Sequence, residues 1–213
     1  MSAQYWIARS IFRGAFKTCF RWRVYHAERV PDAGPVILAA NHASFMDPPI
    51  VGSAALRGIH YLARDTLFRW PGIGALLRSV NAVPVDRQGG AVSGLRVILE
   101  RLSRGEAIVL FPEGTRSVDG NLKPAQAGIG LVVVKSGAPV IPVRLFGTFE
   151  AWSRHRRFPR CSPIVVKFGE QMSFAKAIAE ANAAPKQRLK QIYQEIADEI
   201  MRAISSLRPE PDR

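Results

Sequence analysis

Long apolar stretches are missing from this sequence. No run of about 18 or more residues is both uncharged and apolar enough to span a bilayer, so no transmembrane span is predicted. The first residues carry charges too regularly for a secretory signal peptide. We therefore expect the protein in the cytosol or held on a cytosolic membrane face.

Cysteine is also scarce, with two residues, Cys19 and Cys161, far apart in the chain. Neither has a near neighbour that would complete a metal or redox motif, and no disulfide framework is indicated. A reducing compartment is the simplest expectation. Low-complexity tracts and internal repeats are likewise missing, which excludes repeat architectures.

Acidic residues are few relative to basic ones. Thirty Lys and Arg face 17 Asp and Glu, for a net charge of +13 and a sequence pI near 10.7. Such an excess predicts a polyanionic partner. Nucleic acid, anionic lipid and phosphorylated metabolites all fit, and composition does not choose among them.

The 213 residues, 47% of them hydrophobic, suit one domain. Short apolar runs predict strands at residues 23–27, 36–40, 59–63, 80–85, 107–111, 139–145 and 163–168. The strand–helix–strand order around residues 95–102 predicts a right-handed crossover and parallel pairing. We predict an α/β fold: a single domain over residues 24–208, with a mixed, largely parallel sheet flanked by helices, preceded by an amphipathic helix within residues 1–23.

That N-terminal segment has the strongest periodicity of its part of the chain. Over residues 3–23 apolar side chains recur at helical spacing, and Arg9, Arg13, Lys17 and Arg21 follow one another four apart with no acidic residue among them. An apolar, aromatic-rich face bordered by cations is typical of a helix in the interface of an anionic membrane. A core-packing helix with a basic solvated side is the alternative.

Residues 41–47, Asn-His-Ala-Ser-Phe-Met-Asp, directly follow a buried strand and precede Pro48 and Pro49. Because Asp47 precedes a proline, it suits a helix N-cap with Pro48 at the first helical position. A turn would then let the Asp47 carboxylate receive one ring N–H of His42, leaving the other nitrogen as a base. A capping or surface pair is the alternative on spacing alone.

A second polar turn, residues 112–117 (Pro-Glu-Gly-Thr-Arg-Ser), follows the strand predicted to end at Phe111. Gly114 permits close backbone approach, Thr115 offers a hydroxyl, and the Arg116 fork suits an anionic oxygen pair. Since ligands bind beyond the carboxyl ends of strands in α/β sheets, the two loops could line one cleft.

Together, Asn-His-x-x-x-x-Asp and Phe-Pro-Glu-Gly-Thr-Arg-Ser resemble the motifs of the glycerolipid acyltransferase family, in particular its 1-acyl-sn-glycerol-3-phosphate acyltransferases. Weaker blocks at residues 83–87 and 138–143 fall in the family's order, and the resemblance covers roughly residues 22–170. Family members often carry Lys where this chain has Ala-Gln-Ala-Gly at residues 125–128, which weakens any expectation of an anion contact there.

The resemblance implies transfer of an acyl group from acyl-CoA or acyl-carrier protein to a lysophospholipid hydroxyl. His42 would be the base and Asp47 its orienting partner. Arg116 and Arg87 would hold the acceptor phosphate, and Glu113 would position the Arg fork or a substrate hydroxyl. A metal or cofactor is not expected, and the enzyme is expected to be peripheral on the cytoplasmic face of the membrane.

Two alternatives stay open. The acceptor could be another lyso-lipid, such as a lyso-ornithine lipid, or the chain could be a non-catalytic basic protein that binds membrane or nucleic acid. Residues 152–160, a basic and aromatic loop, fit single-stranded nucleic acid, lipid phosphates or a phosphorylated donor. No nucleic-acid module surrounds this loop, so nucleic acid is not the expected partner.

Overall fold

A computed structural model describes residues 3–85 and 90–210. Within them the chain forms the strands β1 (Arg23–Tyr25), β2 (Val36–Ala40), β3 (Ile59–Arg64), β4 (Ala82–Val85), β5 (Ala107–Leu110), β6 (Val140–Phe146) and β7 (Val165–Phe168). The helices are α1 (Ala3–Cys19), α2 (Asp47–Ala54), α3 (Pro71–Ser79), α4 (Gly90–Ser103), α5 (Gly128–Ser136), α6 (Thr148–Trp152), α7 (Ala175–Ala183) and α8 (Lys186–Ser206). Short 3-10 turns lie at Ala27–Arg29 and Asp65–Arg69.

The described strands form one sheet in the order β1-β7-β6-β2-β5-β3-β4. Neighbouring strands run parallel except β6 and β7, which are antiparallel. The prediction of a single α/β domain with a mixed, largely parallel sheet is confirmed. Every residue of β2 is buried, as expected for a central parallel strand covered on both faces, and this explains its unbroken apolar run.

Helices cover both faces of the sheet and create two apolar cores. One core joins α1 and α2 to one face of the sheet, through Phe16, Phe20, Leu38 and Ile50 among others. The other joins α4, α5, α7 and α8 to the opposite face, with the buried side chains of Ile192, Ile196, Ile200 and Ile204 from α8. Sheet order and helix layers together bring the carboxyl ends of β2, β3, β5 and β6 to one edge.

The N-terminal helix packs more closely on the domain than an interfacial helix requires. Tyr5 and Phe16 are buried, and Arg13 donates from Nη1 to the carbonyl of Ser53 over 2.7 Å. Arg9 donates to the carbonyl of Ala55 in the same way. Two of the four cations therefore bind the carboxyl end of α2, where helix carbonyls favour positive charge.

Several elements differ from the sequence predictions. Residues 68–74, where no helix was predicted, contain the end of a 3-10 turn and the start of α3. The short helix α6 and the helix α7 were not predicted, because glycine or proline lies close to each and their periodic stretches are short. Helix α1 ends at Cys19, before the predicted limit of residue 23.

Candidate functional site

The first polar loop is held at the end of β2 by its own side chains. Asn41 Nδ2 donates to the carbonyl of Leu145 over 3.1 Å, and Asn41 Oδ1 accepts from the Leu145 N–H over 2.7 Å. This pair of bonds fixes the start of the loop to β6, the neighbouring strand. Asn41 therefore shapes the loop, as the side-chain chemistry of asparagine suggests.

Asp47 gathers the loop around one oxygen. Its Oδ2 accepts from His42 Nδ1 over 2.8 Å, from the Ala43 N–H over 2.6 Å and from the Ser44 N–H over 2.7 Å. The side chain of Asp47 is 0% exposed. A carboxylate that accepts from Nδ1 places the ring proton there and leaves Nε2 of His42 as the acceptor. The predicted pairing of these two side chains is present.

Asp47 lies one residue further into the helix α2 than expected. It is the first residue of α2, and Met46 occupies the N-cap, so Pro48 is the second helical residue. The Asp47 carboxylate turns back toward the loop, whose amides it binds. The prediction that Asp47 is the N-cap is therefore wrong, because its carboxylate holds the amides of the loop that precedes α2.

The second polar loop meets the first at His42. The ring of Phe111 stacks on the imidazole with centroids 3.9 Å apart and planes inclined by 18°. The backbone N–H of Ser117 donates to the carbonyl of His42 over 2.7 Å. Because β2 and β5 are parallel neighbours, their polar loops lie side by side, and the two motifs form one site.

Glu113 joins the two loops from beneath. Its Oε1 accepts from the backbone N–H of His42 over 2.8 Å, and its Oε2 accepts from that of Lys123 over 3.1 Å. The residue is 3% exposed. Burial raises the pKa of the Glu113 carboxyl, while the two amide bonds act in the opposite direction. Glu113 thus positions the loop that carries His42, and its predicted role toward the Arg fork or a substrate hydroxyl stays a prediction.

Arg116 lies near the Asp47 carboxylate and is also affected by the charges of two other arginines. Its guanidinium is 3.5 Å from the centroid of the Phe45 ring, and its Nη1 is buried without a hydrogen-bond partner among the described residues. Burial lowers the pKa of Arg116, the charges of Arg154 and Arg64 lower it further, and the charge of Asp47 acts in the opposite direction. An anion bound at Arg116 would relieve the repulsion among these arginines.

The other predicted contacts differ in their placement. Gly114 adopts a positive φ of 68°, which explains the glycine, and it lines the cavity described below. Thr115 is exposed at the outer side of the turn. Arg87, predicted to share the acceptor phosphate with Arg116, lies outside the described residues.

A cavity of about 550 Å³ opens at His42 and extends between the sheet, α4 and α5. Its walls are mostly apolar, with Leu62, Val85, Leu95, Ile98, Val109 and Val132 among the lining residues. Arg64 and Gln126 supply polar groups. A largely apolar cavity of this size next to a polar centre is typical of a small-molecule site.

Sequence reasoning missed the stacking role of Phe111 and the contributions of Arg64 and Arg154. Phe111 was taken only as the last residue of a strand, although its place directly before a polar turn was a usable signal. Arg64 ends an apolar strand, which is also a signal for a site residue at a sheet edge. Arg154 comes from a distant loop, and no local pattern links it to Arg116.

A family model described as Acyltransferase matches residues 21–145. The chain is 30% identical over 149 residues to a chloroplastic 1-acyl-sn-glycerol-3-phosphate acyltransferase of Brassica napus, covering 68% of this chain and 42% of the relative. It is also 30% identical over 126 residues to the 1-acyl-sn-glycerol-3-phosphate acyltransferase of Bacillus subtilis, covering 59% and 62%. This chain thus spans about half the length of these two relatives.

Two further proteins are similar to this chain. A lyso-ornithine lipid O-acyltransferase of Rhizobium meliloti is 40% identical over 89 residues, which cover 41% of this chain and 30% of the relative. The crystal structure of the 1-acyl-sn-glycerophosphate acyltransferase PlsC from Thermotoga maritima shares the fold, with a TM-score of 0.74 and 24% identity over 97% of this chain and 81% of PlsC. Since the family model matches more than half of its residues, the chain belongs to the acyltransferase family.

Proposed function

We propose that this chain transfers a fatty acyl group from acyl-CoA or acyl-carrier protein to the sn-2 hydroxyl of 1-acylglycerol 3-phosphate, giving phosphatidate. The observation that carries the proposal is the hydrogen-bonded pair of His42 and Asp47 at the mouth of an apolar cavity, with Arg116 beside it. The relatives from Brassica napus and Bacillus subtilis are named as acyltransferases of this substrate class.

The chemistry needs a base, because an alcohol is a poor nucleophile near neutral pH. Nε2 of His42 takes the proton of the acceptor hydroxyl as its oxygen bonds to the thioester carbonyl carbon. The resulting tetrahedral oxyanion collapses, the carbon–sulfur bond breaks, and the leaving thiolate takes the proton from the imidazolium. Asp47 holds the ring throughout and stabilises its positive charge through Nδ1–H.

Stabilising the oxyanion requires donors aimed at it, and the structure narrows the choice. The backbone N–H groups of His42, Ala43 and Ser44 are bound to the carboxylates of Glu113 and Asp47. Those of Gly114 and Ser117 donate to backbone carbonyls. These amides are committed to shaping the loops, so oxyanion donors are to be sought elsewhere in the site.

The two ends of the substrates suit different sides of His42. The apolar cavity suits an acyl chain, whose burial would be driven by the hydrophobic effect. The guanidinium of Arg116 suits the acceptor phosphate, with Arg87 as its expected partner. Arg64 belongs to the cavity lining and lies close enough to Arg116 to affect its pKa, so it is a further candidate for this anion.

Attachment to a membrane surface is part of the same proposal, since the acceptor is a lipid. None of the helices in residues 3–85 and 90–210 combines the length and apolar character that crossing a bilayer requires. Exposed apolar side chains do lie on α1, at Trp6, Ile7 and Ile11. On the adjacent α3, Ile73 and Leu76 are exposed as well. Neighbouring exposed apolar groups favour contact with a lipid surface.

A second acceptor has a specific observation in its favour. The relative named lyso-ornithine lipid O-acyltransferase has a higher identity, 40%, over a shorter segment. The base and the cavity would serve that reaction equally well, because they address the hydroxyl and the acyl chain. The head groups differ, since an ornithine head group has no phosphate for Arg116 to bind.

The test is a panel of lyso-lipids offered to the purified full chain with labelled acyl-CoA or acyl-carrier protein. We expect labelled phosphatidate from 1-acylglycerol 3-phosphate, and loss of the product in His42→Ala. Acylation of lyso-ornithine lipid alone would favour the second acceptor. Acylation of none of them, with cellular activity intact in His42→Ala, would favour a non-catalytic basic protein and overturn the enzyme.

A further inference from the structure

The loop that follows α6 is a concentrated cationic surface. Residues 154–161 are all exposed, and the sequence has no acidic residue from Ala151 to Gly169. The loop contains four arginines, Arg154, Arg156, Arg157 and Arg160. None of the four forms a salt bridge within the part of the chain that the structure describes. Its positive charge is therefore available to a partner.

The loop is held firmly at its base. Ser153 is buried, its carbonyl accepts from the Arg156 N–H over 3.2 Å, and the Arg160 N–H donates to the carbonyl of Ala151 over 2.8 Å. The indole of Trp152 donates from Nε1 to the carbonyl of Arg156 over 3.1 Å. These bonds fix the direction in which the exposed residues project.

The base of the loop contacts the polar loop that carries His42. Ser44 Oγ donates to the carbonyl of Trp152 over 2.7 Å, and the rings of Phe45 and Trp152 are 5.7 Å apart. Beyond the loop, the Ile164 N–H donates to the carbonyl of Phe20, next to the end of α1. The base of the cationic loop therefore lies beside the polar loop that carries His42, at the mouth of the site.

The aromatic residue of the loop identifies the partner. Phe158 is 71% exposed, and the guanidinium of Arg157 lies 5.4 Å from its ring centroid. A soluble anion would not stabilise an exposed phenyl ring. The interface of a bilayer does so, and its lipid phosphates bind the neighbouring arginines. A single exposed ring is too little for nucleic acid, which needs a series of stacking platforms.

We propose that residues 154–160 form a second membrane-binding element, in which Arg156, Arg157 and Arg160 bind the phosphates of an anionic bilayer and Phe158 enters its interface. This proposal rests on the proposed function, because it gives the loop the task of bringing the mouth of the site to the lipid surface. Arg154 is not counted among the phosphate-binding residues of this element, because its charge lowers the pKa of Arg116 in the site.

The experiment compares two variants of the full chain for binding to vesicles with and without phosphatidylglycerol. The first combines Arg156→Ser, Arg157→Ser and Arg160→Ser. The matched control removes the same charge from exposed positions of α8, with Lys186→Ser, Lys190→Ser and Arg202→Ser. Each arginine near an anionic surface strengthens binding about fivefold, so the loop variant should bind the anionic vesicles at least about tenfold more weakly than the control.

A separate variant, Phe158→Ser, should weaken vesicle binding at raised salt, where screening has reduced the arginine contribution. Binding is measured by sedimentation and needs no turnover, so its outcome is independent of which acceptor the enzyme uses. Equal vesicle binding by the loop variant and the control would overturn the proposal. If the loop variant keeps vesicle binding but shows a raised KM for acyl-CoA measured without vesicles, the partner is a phosphorylated donor and the proposal is overturned. If it keeps vesicle binding but loses oligonucleotide binding, the partner is nucleic acid and the proposal is likewise overturned.

Discussion

At the scale of single residues, the position of His42 depends on the hydrogen bonds that the buried carboxylates of Asp47 and Glu113 accept. Asp47 Oδ2 accepts three, two of them from amides of the loop that carries His42. The ring and its support are therefore fixed by the same oxygen. Glu113 accepts from the His42 amide, so the base is placed by two carboxylates, one from the first residue of α2 and one from the second polar loop.

Replacing His42 by alanine should lower kcat about 10² to 10⁴-fold, the usual contribution of a general base. The imidazole is partly exposed, so its removal should leave the fold intact. Steady-state kinetics with the preferred lyso-lipid measures the loss, and thermal unfolding provides the control. A variant with near-normal kcat would show that another group takes the proton.

Phe111→Leu tests the stacked ring, because leucine retains the apolar bulk and removes the π face. An aromatic pair contributes about 0.5–1.5 kcal/mol beyond its buried area, so kcat should fall about 2- to 13-fold while KM for the acceptor is unchanged. Phe111→Tyr should restore most of the rate. A rise in KM with unchanged kcat would mean that the ring contacts substrate and does not position His42.

At the scale of elements, α1 packs on the domain with its inner side and is proposed to contact the membrane with its outer side. Its inner side is anchored by Tyr5 and Phe16, and by the bonds from Arg9 and Arg13 to the end of α2. Deleting the helix would expose the core beneath it, so loss of membrane binding in a deletion could reflect misfolding. Substitutions on the outer side separate the two functions.

Ile7→Gln combined with Ile11→Gln should weaken binding to anionic vesicles without lowering Tm. These side chains are 61% and 67% exposed, so the folded protein loses few contacts when they become polar. Vesicle sedimentation and thermal unfolding measure the two quantities. Phe16→Ala provides the contrast, because emptying a buried aromatic site costs about 3–5 kcal/mol of stability. Unchanged vesicle binding in the double variant would remove the outer side of α1 from the membrane contact.

At the scale of the whole molecule, a buried histidine links stability to pH. His60 lies on β3, with its Nε2 3.2 Å from Glu106 Oε2, and Arg101 also contacts Glu106. Burial lowers the pKa of His60, and the neighbouring Glu106 only partly opposes this effect. The unfolded chain therefore binds a proton more readily than the folded chain does.

The free energy of unfolding should thus fall as the pH drops below about 6.5, the ordinary histidine pKa, and the His60 contribution should level off below the lowered pKa. Urea denaturation at pH 7.5, 6.5 and 5.5 measures it, and His60→Gln should show a shallower decline. Parallel curves for the variant and the unmodified chain would assign the acid sensitivity to other groups.

The sequence by itself determined the fold class and the nearest parts of the site. Unbroken apolar runs separated by one helix length predict a largely parallel sheet. His42 and Asp47 pair within a single turn. Both features depend on residues close together in the chain. The amphipathic character of α1 was equally visible, because helical periodicity is a local property.

Only the tertiary structure decided which distant groups meet. The stack of Phe111 on His42 and the bond that Glu113 accepts from the His42 amide follow from the pairing of β2 with β5. The approach of Arg154 to Arg116 follows from the docking of Trp152 on the catalytic loop. Such contacts join residues far apart in the chain, so their geometry depends on strand order and helix packing, which no local pattern specifies.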